Sequence, residues 1–408
     1  MGLTIARELK LRMPSCSVAL IEKEADVAQH ASGRNSGVLH AGFYYTADSL
    51  KARFSKAGNR AMIRYCEENG LKVNKCGKLV VAADERDLPV LEELKRRGDA
   101  NDVELVWVRE EELARYDPNA KTFRKALYSP TTATVNPQEV CQHLKREIVR
   151  LGVALHLGCP YRRHEGSRVH AGDRVLEAGY VINAAGLYAD KIAQDYGFAH
   201  DYTILPFKGL YLKYAGTKPV ASTNIYPAPS MSNPFLGVHF TITADGAVKV
   251  GPTAIPALWR EHCRGFARFR PREMLEILGW MARLFAADAF HFRTLAAEEF
   301  RKYRKRYLIR LAGKLVKKCD PGGFGSFLAP GIRAQLLHKP TMTLVQDFLV
   351  EGDGHSIHVL NAVSPAFTSS FPFAAYVVDR ALALQQGHEE MAGNMPGGQR
   401  DCFGSHIA

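Results

Sequence analysis

The spacing of hydrophobic and polar positions predicts that helices and strands alternate from the first residues onward. Apolar side chains recur at helical spacing over 3–12, and Pro14 ends the helix that they predict. The apolar run at 17–23 then predicts a short buried strand, which finishes on Glu22 and Lys23. A helix followed directly by such a strand is typical of an α/β fold.

The remaining pattern extends this alternation. Further helices are expected at 49–70, 84–97, 137–151, 187–196, 271–287, 296–317 and 369–384. Further strands are expected at 78–83, 153–157, 180–186, 204–214, 235–242, 247–252, 333–338, 343–350 and 356–360. The segments in which strand and helix alternate predict a parallel sheet with crossover helices, whereas the others favour antiparallel strands.

Together these segments predict an α/β fold that has a discontinuous Rossmann-like nucleotide-binding domain and an inserted α+β substrate domain. The inserted domain is expected to be built on a mostly antiparallel sheet. The expected ranges are 1–48, 136–202 and 325–385 for the nucleotide-binding domain, 49–135 and 203–324 for the substrate domain, and 386–408 for a C-terminal tail.

Composition excludes several classes of protein. The 408 residues are 46% hydrophobic and 24% charged, which is ordinary for a soluble globular chain. The sequence has no apolar run of membrane-spanning length, and Arg7, Glu8 and Lys10 interrupt any signal-peptide core. The eight cysteines are scattered without a Cys-x-x-Cys pair, so neither a zinc site nor a disulfide framework is expected. We therefore expect a cytoplasmic protein without a metal.

The net charge of +12 is concentrated in one segment, 301–318, which holds nine Lys or Arg and no acid. Apolar residues such as Leu308 and Leu315 recur at helical spacing there, which predicts a basic amphipathic helix. One interpretation is a solvated helix face. The other is peripheral docking on the anionic inner face of a membrane. Nucleic acid is not expected, because no recognised binding motif accompanies the charge.

Two residues near the start match part of a dinucleotide-binding motif. Gly2 opens a helix, and Glu22 ends the next strand about 20 positions later, the spacing between the last glycine of G-x-G-x-x-G and the acidic residue that follows it. The strand and the two glycines that should precede Gly2 are not in the sequence. Alone, this spacing also arises by chance in many helices.

Four later segments are rich in small residues and predict close approach of the backbone to a ligand. They are NSGVLHAG (35–42), NAAGLYAD (183–190), GIRAQ (331–335) and NAVSPAFTSS (361–370). The last of them leads into a helix, whose first amides would point at an electron-rich ring or an anion.

These segments resemble the L-2-hydroxyglutarate dehydrogenase/oxidase family, within the D-amino-acid-oxidase-like flavoproteins. NSGVLHAGFYY (35–45) and PFLGVHFT (234–241) are characteristic of that family, and the resemblance extends to about Arg380. Further matching stretches are ALIEKE (19–24), CGKLVVA (76–82), INAAGLYADKIA (182–193), ILPFKGLYLK (204–213), NIYPAP (224–229), GIRAQLL (331–337) and HVLNAVSPAFTSS (358–370).

The sequence departs from the family at its start. Family members carry a strand and the motif GGGI-x-G just before the segment that begins here with Gly2. The resemblance therefore implies that the first strand of the fold is not in this sequence, and that Met1 is an internal methionine of a longer protein. Strands on either side are then expected to lack a partner. The sequence also has Asn136 where the family more often has Asp, and we attach no function to that difference.

The resemblance implies FAD as the cofactor. Glu22 is expected to accept hydrogen bonds from the ribose hydroxyls, as the acidic residue of the dinucleotide-binding motif does. The other residues expected to contact FAD are Gly2, Lys23, Asn35, Ser36, Gly37, Ala185, Gly186, Asp190, Gly331, Ser364 and Thr368. Tight turns alone would also explain the small residues among them.

The resemblance further implies oxidation of L-2-hydroxyglutarate to 2-oxoglutarate by hydride transfer to the flavin, with a quinone-type acceptor or oxygen reoxidising it. This reaction needs a base near neutral pH, and His40 is the first candidate and His239 the second. The small dicarboxylate substrate needs cationic or hydroxyl donors, for which the candidates are Arg333, Lys208, Tyr211, and Tyr44 or Tyr45. Two alternatives stay open: a related amino-acid or glycerol-phosphate oxidoreductase, and a truncated remnant that holds no FAD.

Overall fold

The computed structural model of the chain describes residues 1–217, 219–229 and 235–387. Its α-helices are α1 (Gly2–Arg12), α2 (Leu50–Glu68), α3 (Leu88–Ala100), α4 (Pro137–Arg150), α5 (Ala189–Asp195), α6 (Pro271–Ala287), α7 (Phe292–Arg301), α8 (Lys305–Gly313) and α9 (Ser370–Gln385). Its first eleven strands are β1 (Ala19–Ile21), β2 (Val38–Leu39), β3 (Val73–Asn74), β4 (Lys78–Val81), β5 (Val106–Arg109), β6 (Lys125–Ser129), β7 (Ala133–Val135), β8 (Ala154–His156), β9 (Tyr161–Glu165), β10 (Arg168–Ala171) and β11 (Arg174–Glu177). The others are β12 (Val181–Asn183), β13 (Tyr202–Gly209), β14 (Leu212–Tyr214), β15 (Asn224–Pro227), β16 (His239–Ile242), β17 (Val248–Gly251), β18 (Ile255–Pro256), β19 (Phe324–Phe327), β20 (Gly331–His338), β21 (Thr343–Leu344), β22 (Val350–Gly352) and β23 (Ser356–Val359).

The described chain forms two compact units, each made of separate stretches of sequence. The first unit contains Met1–Asn35, Pro137–Pro206 and 333–387, and the second contains Ser36–Asn136 and Phe207–Ile332. The boundary between them falls inside β13 and inside β20. Residues 36–48, which the sequence analysis assigns to the nucleotide-binding domain, lie in the second unit. Of the expected C-terminal tail, the part from 388 onward lies outside the described residues.

The first unit contains the parallel strand pairs that the sequence predicts. β1 runs parallel to β8, with Ala19 opposite Ala154, and β12 runs parallel to β23, which pairs antiparallel with β22. Within the described residues these are separate ladders, and β9, β10 and β11 form a third, antiparallel one. Parallel pairs joined through helices are the architecture expected of a doubly wound α/β domain.

Helix α1 packs against α4, α9 and β1 in the first unit. Ala6 on α1 is buried with Ile148 of α4 and Val153, which makes a small apolar core. A Cβ added to Gly2 would meet Leu20 Cδ1 at 3.8 Å, an ordinary van der Waals distance. The close helix–strand approach for which the motif needs glycine is therefore not tight at this position.

The second unit is built around an eight-stranded sheet in the order β19-β14-β17-β16-β15-β4-β6-β5. Its neighbours run antiparallel except β15 and β4, which are parallel. All four residues of β4 are buried, although the first of them is Lys78. This agrees with the mostly antiparallel sheet that the sequence predicts.

The basic segment 301–318 is not one helix, which corrects the sequence analysis. α7 ends at Arg301, and α8 begins at Lys305. Leu308 and Leu315 are buried in the main apolar core of the second unit. Much of the apolar side of the segment therefore packs inside the protein, where these leucines are removed from water. No helix among the described residues is both long and apolar enough to cross a bilayer.

Candidate active-site residues

Glu22 is held at the carboxyl end of β1 by backbone hydrogen bonds. Its amide donates to the carbonyl oxygen of His156 at 2.9 Å, which continues the pairing with β8. Its carboxylate oxygen Oε1 accepts from the amide of Glu24 at 2.9 Å. The strand and the turn after it thus place a half-buried carboxylate where the dinucleotide-binding fold needs one.

The carboxyl end of β12 offers open backbone. The Asn183 side-chain oxygen accepts from the amide of Ala185 at 3.1 Å, and the next residue, Gly186, has φ of 57°. Apart from its two chain neighbours, no atom of the described residues lies within 4 Å of where a Cβ on Gly186 would stand, so this position faces open space. Lys23 Nζ lies 5.5 Å from the ring centroid of Tyr188, which shows that the ends of β1 and β12 adjoin.

Asp190, in the first turn of α5, is buried, and it has a role in the fold. Its Oδ2 accepts from the amide of Ile204 at 3.0 Å, which fixes the start of β13 against α5. Lys23 and Asp190 thus both have partners in the first unit. As contacts of FAD they stay predictions.

A third strand end in the first unit leads into α9. β23 lies parallel to β12, so their carboxyl ends share one edge of the sheet. Thr368 is buried in the turn before α9, whereas Ser364 is exposed. The hydroxyl of Ser369, the residue before the helix, is buried and has no hydrogen-bond partner among the described residues. An unsatisfied buried hydroxyl beside helical amides marks a place where a ligand can bind.

These groups fit the FAD that the sequence resemblance implies. They comprise a carboxylate at one strand end, open glycine backbone at the next, and a helix N-terminus with an unsatisfied hydroxyl. Ribose hydroxyls, phosphate oxygens and a flavin ring are the partners that such groups bind. Asn35 is already engaged in its own turn, because its side-chain amide donates to Ser32 at 2.7 Å and to Ala31 at 3.2 Å.

In the second unit, the turn at Ser36 and Gly37 positions His40. Gly37 has φ of 80°, and its carbonyl oxygen accepts from the amide of Val135 at 3.0 Å. Ser36 Oγ accepts from the amide of Val38 at 3.3 Å. The short strand β2 then pairs with β7 and leads His40 into a buried position.

His40 meets a buried lysine that the sequence analysis missed. Lys78 Nζ lies 3.4 Å from His40 Nδ1 and 4.3 Å from the ring centroid of Tyr226. Tyr44 adds a second ring, 5.2 Å from Nζ, and its own hydroxyl is buried without a hydrogen-bond partner among the described residues. Burial lowers the pKa of Lys78 to about 7 and raises that of Tyr44. We call His40, Lys78, Tyr44, Tyr226 and His239 the lysine cluster.

His239 belongs to the same cluster through Tyr226. The two rings stack with centroids 3.6 Å apart and an angle of 14°. Burial lowers the pKa of His239 to about 3, so the ring is neutral at physiological pH. Its Nδ1 lies 2.8 Å from the carbonyl oxygen of Gly237, which can only accept, so Nδ1 carries the proton. Nε2 of His239 is then an acceptor.

The other predicted substrate residues lie at different places. The ring of Tyr211 stands over Gly251, the cross-strand partner of His239, and a Cβ on Gly251 would lie 2.8 Å from Tyr211 Cδ1. Burial lowers the pKa of Lys208, whose positive charge in turn helps lower the pKa of His262. Gly331 and Arg333 are half-buried in β20. A substrate role for Tyr211, Lys208 and Arg333 stays a prediction, and so does the contact of Gly331 with FAD.

Comparisons with known proteins agree with this fold. A family model described as FAD dependent oxidoreductase matches residues 1–310. L-2-hydroxyglutarate dehydrogenase of Escherichia coli (strain K12) is 33% identical over 392 residues, which cover 94% of this chain and 91% of that protein. The mitochondrial L-2-hydroxyglutarate dehydrogenase of Homo sapiens is 31% identical over 401 residues, which cover 93% of this chain and 86% of that protein.

Solved structures share the fold at lower identity. The FAD-bound L-α-glycerophosphate oxidase of Mycoplasma pneumoniae has a TM-score of 0.70 and 20% identity, covering 94% of this chain and 92% of its own. Glycine oxidase of Geobacillus kaustophilus has a TM-score of 0.67 and 16% identity, covering 100% of this chain and 96% of its own. At these identities the likeness concerns the fold alone.

The family match defines the chain as an FAD-dependent oxidoreductase, and the groups at the three strand ends fit that cofactor. Its fold class and its cofactor, FAD, are therefore as the sequence predicts. Within that class, the relatives aligned along nearly its whole length place it in the family of L-2-hydroxyglutarate dehydrogenases.

Two members of the lysine cluster, Lys78 and Tyr226, were not predicted as site residues. Both lie in stretches that carry the family resemblance, CGKLVVA and NIYPAP. A signal for Lys78 was present, because it is a charged residue at the start of an otherwise apolar strand. Charged side chains are rarely buried in a sheet unless they are paired or belong to a functional site.

Proposed function

We propose that the protein oxidises L-2-hydroxyglutarate to 2-oxoglutarate. The names of its relatives, which align along nearly the whole chain, support this substrate. The observation that carries the chemistry is the buried contact of 3.4 Å between Lys78 Nζ and His40 Nδ1. FAD, when bound, supplies the acceptor for the hydride from C2 of the substrate.

His40 Nε2 is the base that takes the proton of the C2 hydroxyl, and Lys78 controls its tautomer. When Lys78 is an ammonium it donates to Nδ1, so the single proton of a neutral His40 ring lies on Nε2. When Lys78 is neutral, its Nζ accepts from the Nδ1–H, and Nε2 has the lone pair that accepts the substrate proton. Since the pKa of Lys78 is lowered to about 7, the basic form prevails above neutral pH.

The two substrate carboxylates need separate partners. We assign them to Arg333, whose guanidinium can form a bidentate pair, and to Lys208 and Tyr211. His239, neutral and held by Gly237, accepts a hydrogen bond through Nε2 and supports Tyr226 by stacking. Glu22 binds the adenosine ribose of the cofactor.

The electrons leave the reduced enzyme for a quinone-type acceptor or for oxygen. For a quinone, the protein has to reach a membrane, which we place on the inner face of an anionic bilayer. The exposed basic side chains of 301–318 support electrostatic contact, although Leu308 and Leu315 of that segment are buried. Mixing the reduced enzyme with a short-chain quinone or with oxygen, and comparing the two reoxidation rates, decides between the acceptors.

Anaerobic bleaching of the flavin tests the proposed substrate. Adding L-2-hydroxyglutarate to the FAD-loaded enzyme should remove the visible absorbance of the oxidised flavin. The D enantiomer, an L-amino acid and glycerol phosphate serve as comparison substrates and should leave it unchanged. Bleaching by one of these, but not by L-2-hydroxyglutarate, would refute the proposal.

The variant His40→Gln tests the assigned base. Loss of a positioned general base should slow flavin reduction about 10²- to 10⁴-fold, while FAD remains bound. His355→Gln, at an exposed position of the first unit, is the control and should reduce its flavin at the wild-type rate. Equal rates for both variants would remove His40 from the mechanism.

A further inference from the structure

Helix α6 turns an apolar face to solvent. Among its 17 residues only Ile277 and Leu284 are buried. Leu275 is 67% exposed, Phe285 53% and Leu278 39%. A helix of a soluble domain normally buries its apolar stripe and exposes its polar one. On α6 much of the apolar surface faces outward.

The exposed apolar positions form one continuous stripe. They recur at intervals of three and four residues, which places them on one side of the helix: Leu275, Leu278, Gly279, Ala282, Phe285 and Ala286. Phe266, in the segment that leads into α6, is 82% exposed. Isolated apolar residues on a surface need no explanation, but a stripe along three turns of helix indicates a binding surface.

Positive charge surrounds this stripe. Residues 264–286 contain five arginines and two glutamates, and the glutamates Glu273 and Glu276 are both half-buried. The five arginines are exposed: Arg264, Arg268, Arg270, Arg272 and Arg283. Apolar side chains bordered by exposed arginines match the acyl layer and the anionic headgroups of a phospholipid surface.

We infer that α6 and the segment before it, residues 264–286, dock the protein on an anionic phospholipid bilayer. Leu275, Leu278 and Phe285 enter the upper acyl layer, and the arginines meet the headgroups. The helix lies in the plane of the interface, since a helix of 17 residues with four charges is built to lie there and not to span. A second copy of the chain is a poorer partner, because it would bring five more arginines against these five.

This inference deepens the membrane contact proposed for 301–318. The apolar side chains of α6 enter the bilayer, whereas the basic side chains of 301–318 contribute only electrostatic attraction to its headgroups. The surface does not depend on the identity of the substrate, so it can be tested apart from the flavin chemistry.

Flotation with phospholipid vesicles tests the surface on the FAD-loaded protein. The wild type should float with vesicles of phosphatidylcholine and phosphatidylglycerol in equal parts, and much less with phosphatidylcholine alone. Leu275→Asp should weaken binding to the mixed vesicles at least about tenfold, because it places a charge in the acyl layer. Turnover with a water-soluble dye as acceptor should be unchanged, which shows that the variant is folded.

Val175→Asp is the matched control. Val175 is 57% exposed on β11, so this variant makes a comparable exposed apolar-to-acid change in the first unit. It should float like the wild type.

The inference is overturned if the wild type does not bind the mixed vesicles, if Leu275→Asp binds as well as the wild type, or if Val175→Asp loses as much binding. Dissociation of a wild-type dimer by Leu275→Asp, without vesicle binding by the wild type, would assign the stripe to a second copy. If L-2-hydroxyglutarate did not bleach the flavin but the wild type floated with the mixed vesicles, the proposed substrate would be rejected and the membrane surface would stand.

Discussion

At the scale of single residues, Lys78 shows how burial changes the chemistry of an ordinary side chain. Its Nζ lies 5.2 Å from the ring centroid of Tyr44 and 4.3 Å from that of Tyr226, and its side chain is buried. Burial therefore favours its neutral form and lowers its pKa to about 7. A lysine that titrates near neutral pH beside a histidine can decide which ring nitrogen carries a proton.

The pH dependence of flavin reduction should report this lysine. In the wild type, kcat/KM should rise with pH through about 7, because Lys78 must lose its proton before His40 Nε2 becomes the base. Lys78→Met removes that titration, so the rise near neutral pH should disappear. Lys125→Met, at a half-exposed lysine near Trp107, is the control and should keep the wild-type profile. An unchanged profile in Lys78→Met would show that another group sets the dependence.

The same lysine should make stability depend on pH. Its pKa falls from 10.5 to about 7 on folding, so between these values the unfolded chain binds a proton that the folded one has released. The contribution of Lys78 to the free energy of unfolding therefore rises with pH across that window. Denaturant titrations should show that Lys78→Met has a higher free energy of unfolding than the wild type. The difference should be largest below about pH 7 and should shrink toward about pH 10. A gain that does not vary with pH would contradict the shift.

At the scale of elements, periodicity located most helices and strands but not how they end or what they bring together. The helix expected at 296–317 breaks between Arg301 and Lys305, where the chain turns to bring Leu308 into the core. The spacing of leucines is compatible with one helix or with two. The strand expected at 78–83 is present as β4, yet its partners β15 and β6 follow from pairing between distant segments. A single sequence does not reveal that pairing, and so it did not reveal the lysine cluster.

The carboxyl end of β1 offers a test of cofactor binding at this scale. Glu22→Ala should raise the Kd for FAD about tenfold to a hundredfold, because a hydrogen bond to a charged carboxylate contributes about 1.5–3 kcal/mol. Fluorescence titration of the apoprotein with FAD measures this Kd. Glu8→Ala, on α1 and paired with Arg12, is the control and should bind FAD like the wild type. Equal affinity in both variants would mean that Glu22 serves only its own turn.

At the scale of the whole molecule, the sequence predicted the family and the cofactor, but it did not predict which apolar faces are exposed to solvent. NSGVLHAG and GIRAQ are stretches whose order and residue types identify a family, so the fold came with them. The expectation that 301–318 forms one amphipathic helix was wrong, since α7 ends at Arg301 and α8 begins at Lys305, and Leu308 and Leu315 are buried. Helical spacing shows that a stripe exists, and only the packed structure shows whether it faces inward or outward.

The net charge of +12 leads to a prediction for the whole enzyme. If a bilayer quinone is the acceptor, turnover with quinone-bearing anionic vesicles should fall as salt is raised from about 0.1 M to about 1 M, where the Debye length shrinks from about 10 Å to about 3 Å. Turnover with a water-soluble dye should stay nearly constant. Parallel loss in both assays would indicate a general effect of salt on the enzyme.

The division of each unit into separate stretches has a consequence for inheritance. Because the chain passes between the units at 35–36, 136–137, 206–207 and 332–333, each of them is complete only after distant coding segments have been translated. A premature stop codon before residue 332 leaves neither unit whole. One placed soon after it spares the second unit but removes β22, β23 and α9 from the first. Nonsense alleles over most of the gene should therefore behave as null alleles, and none of them should release a working half.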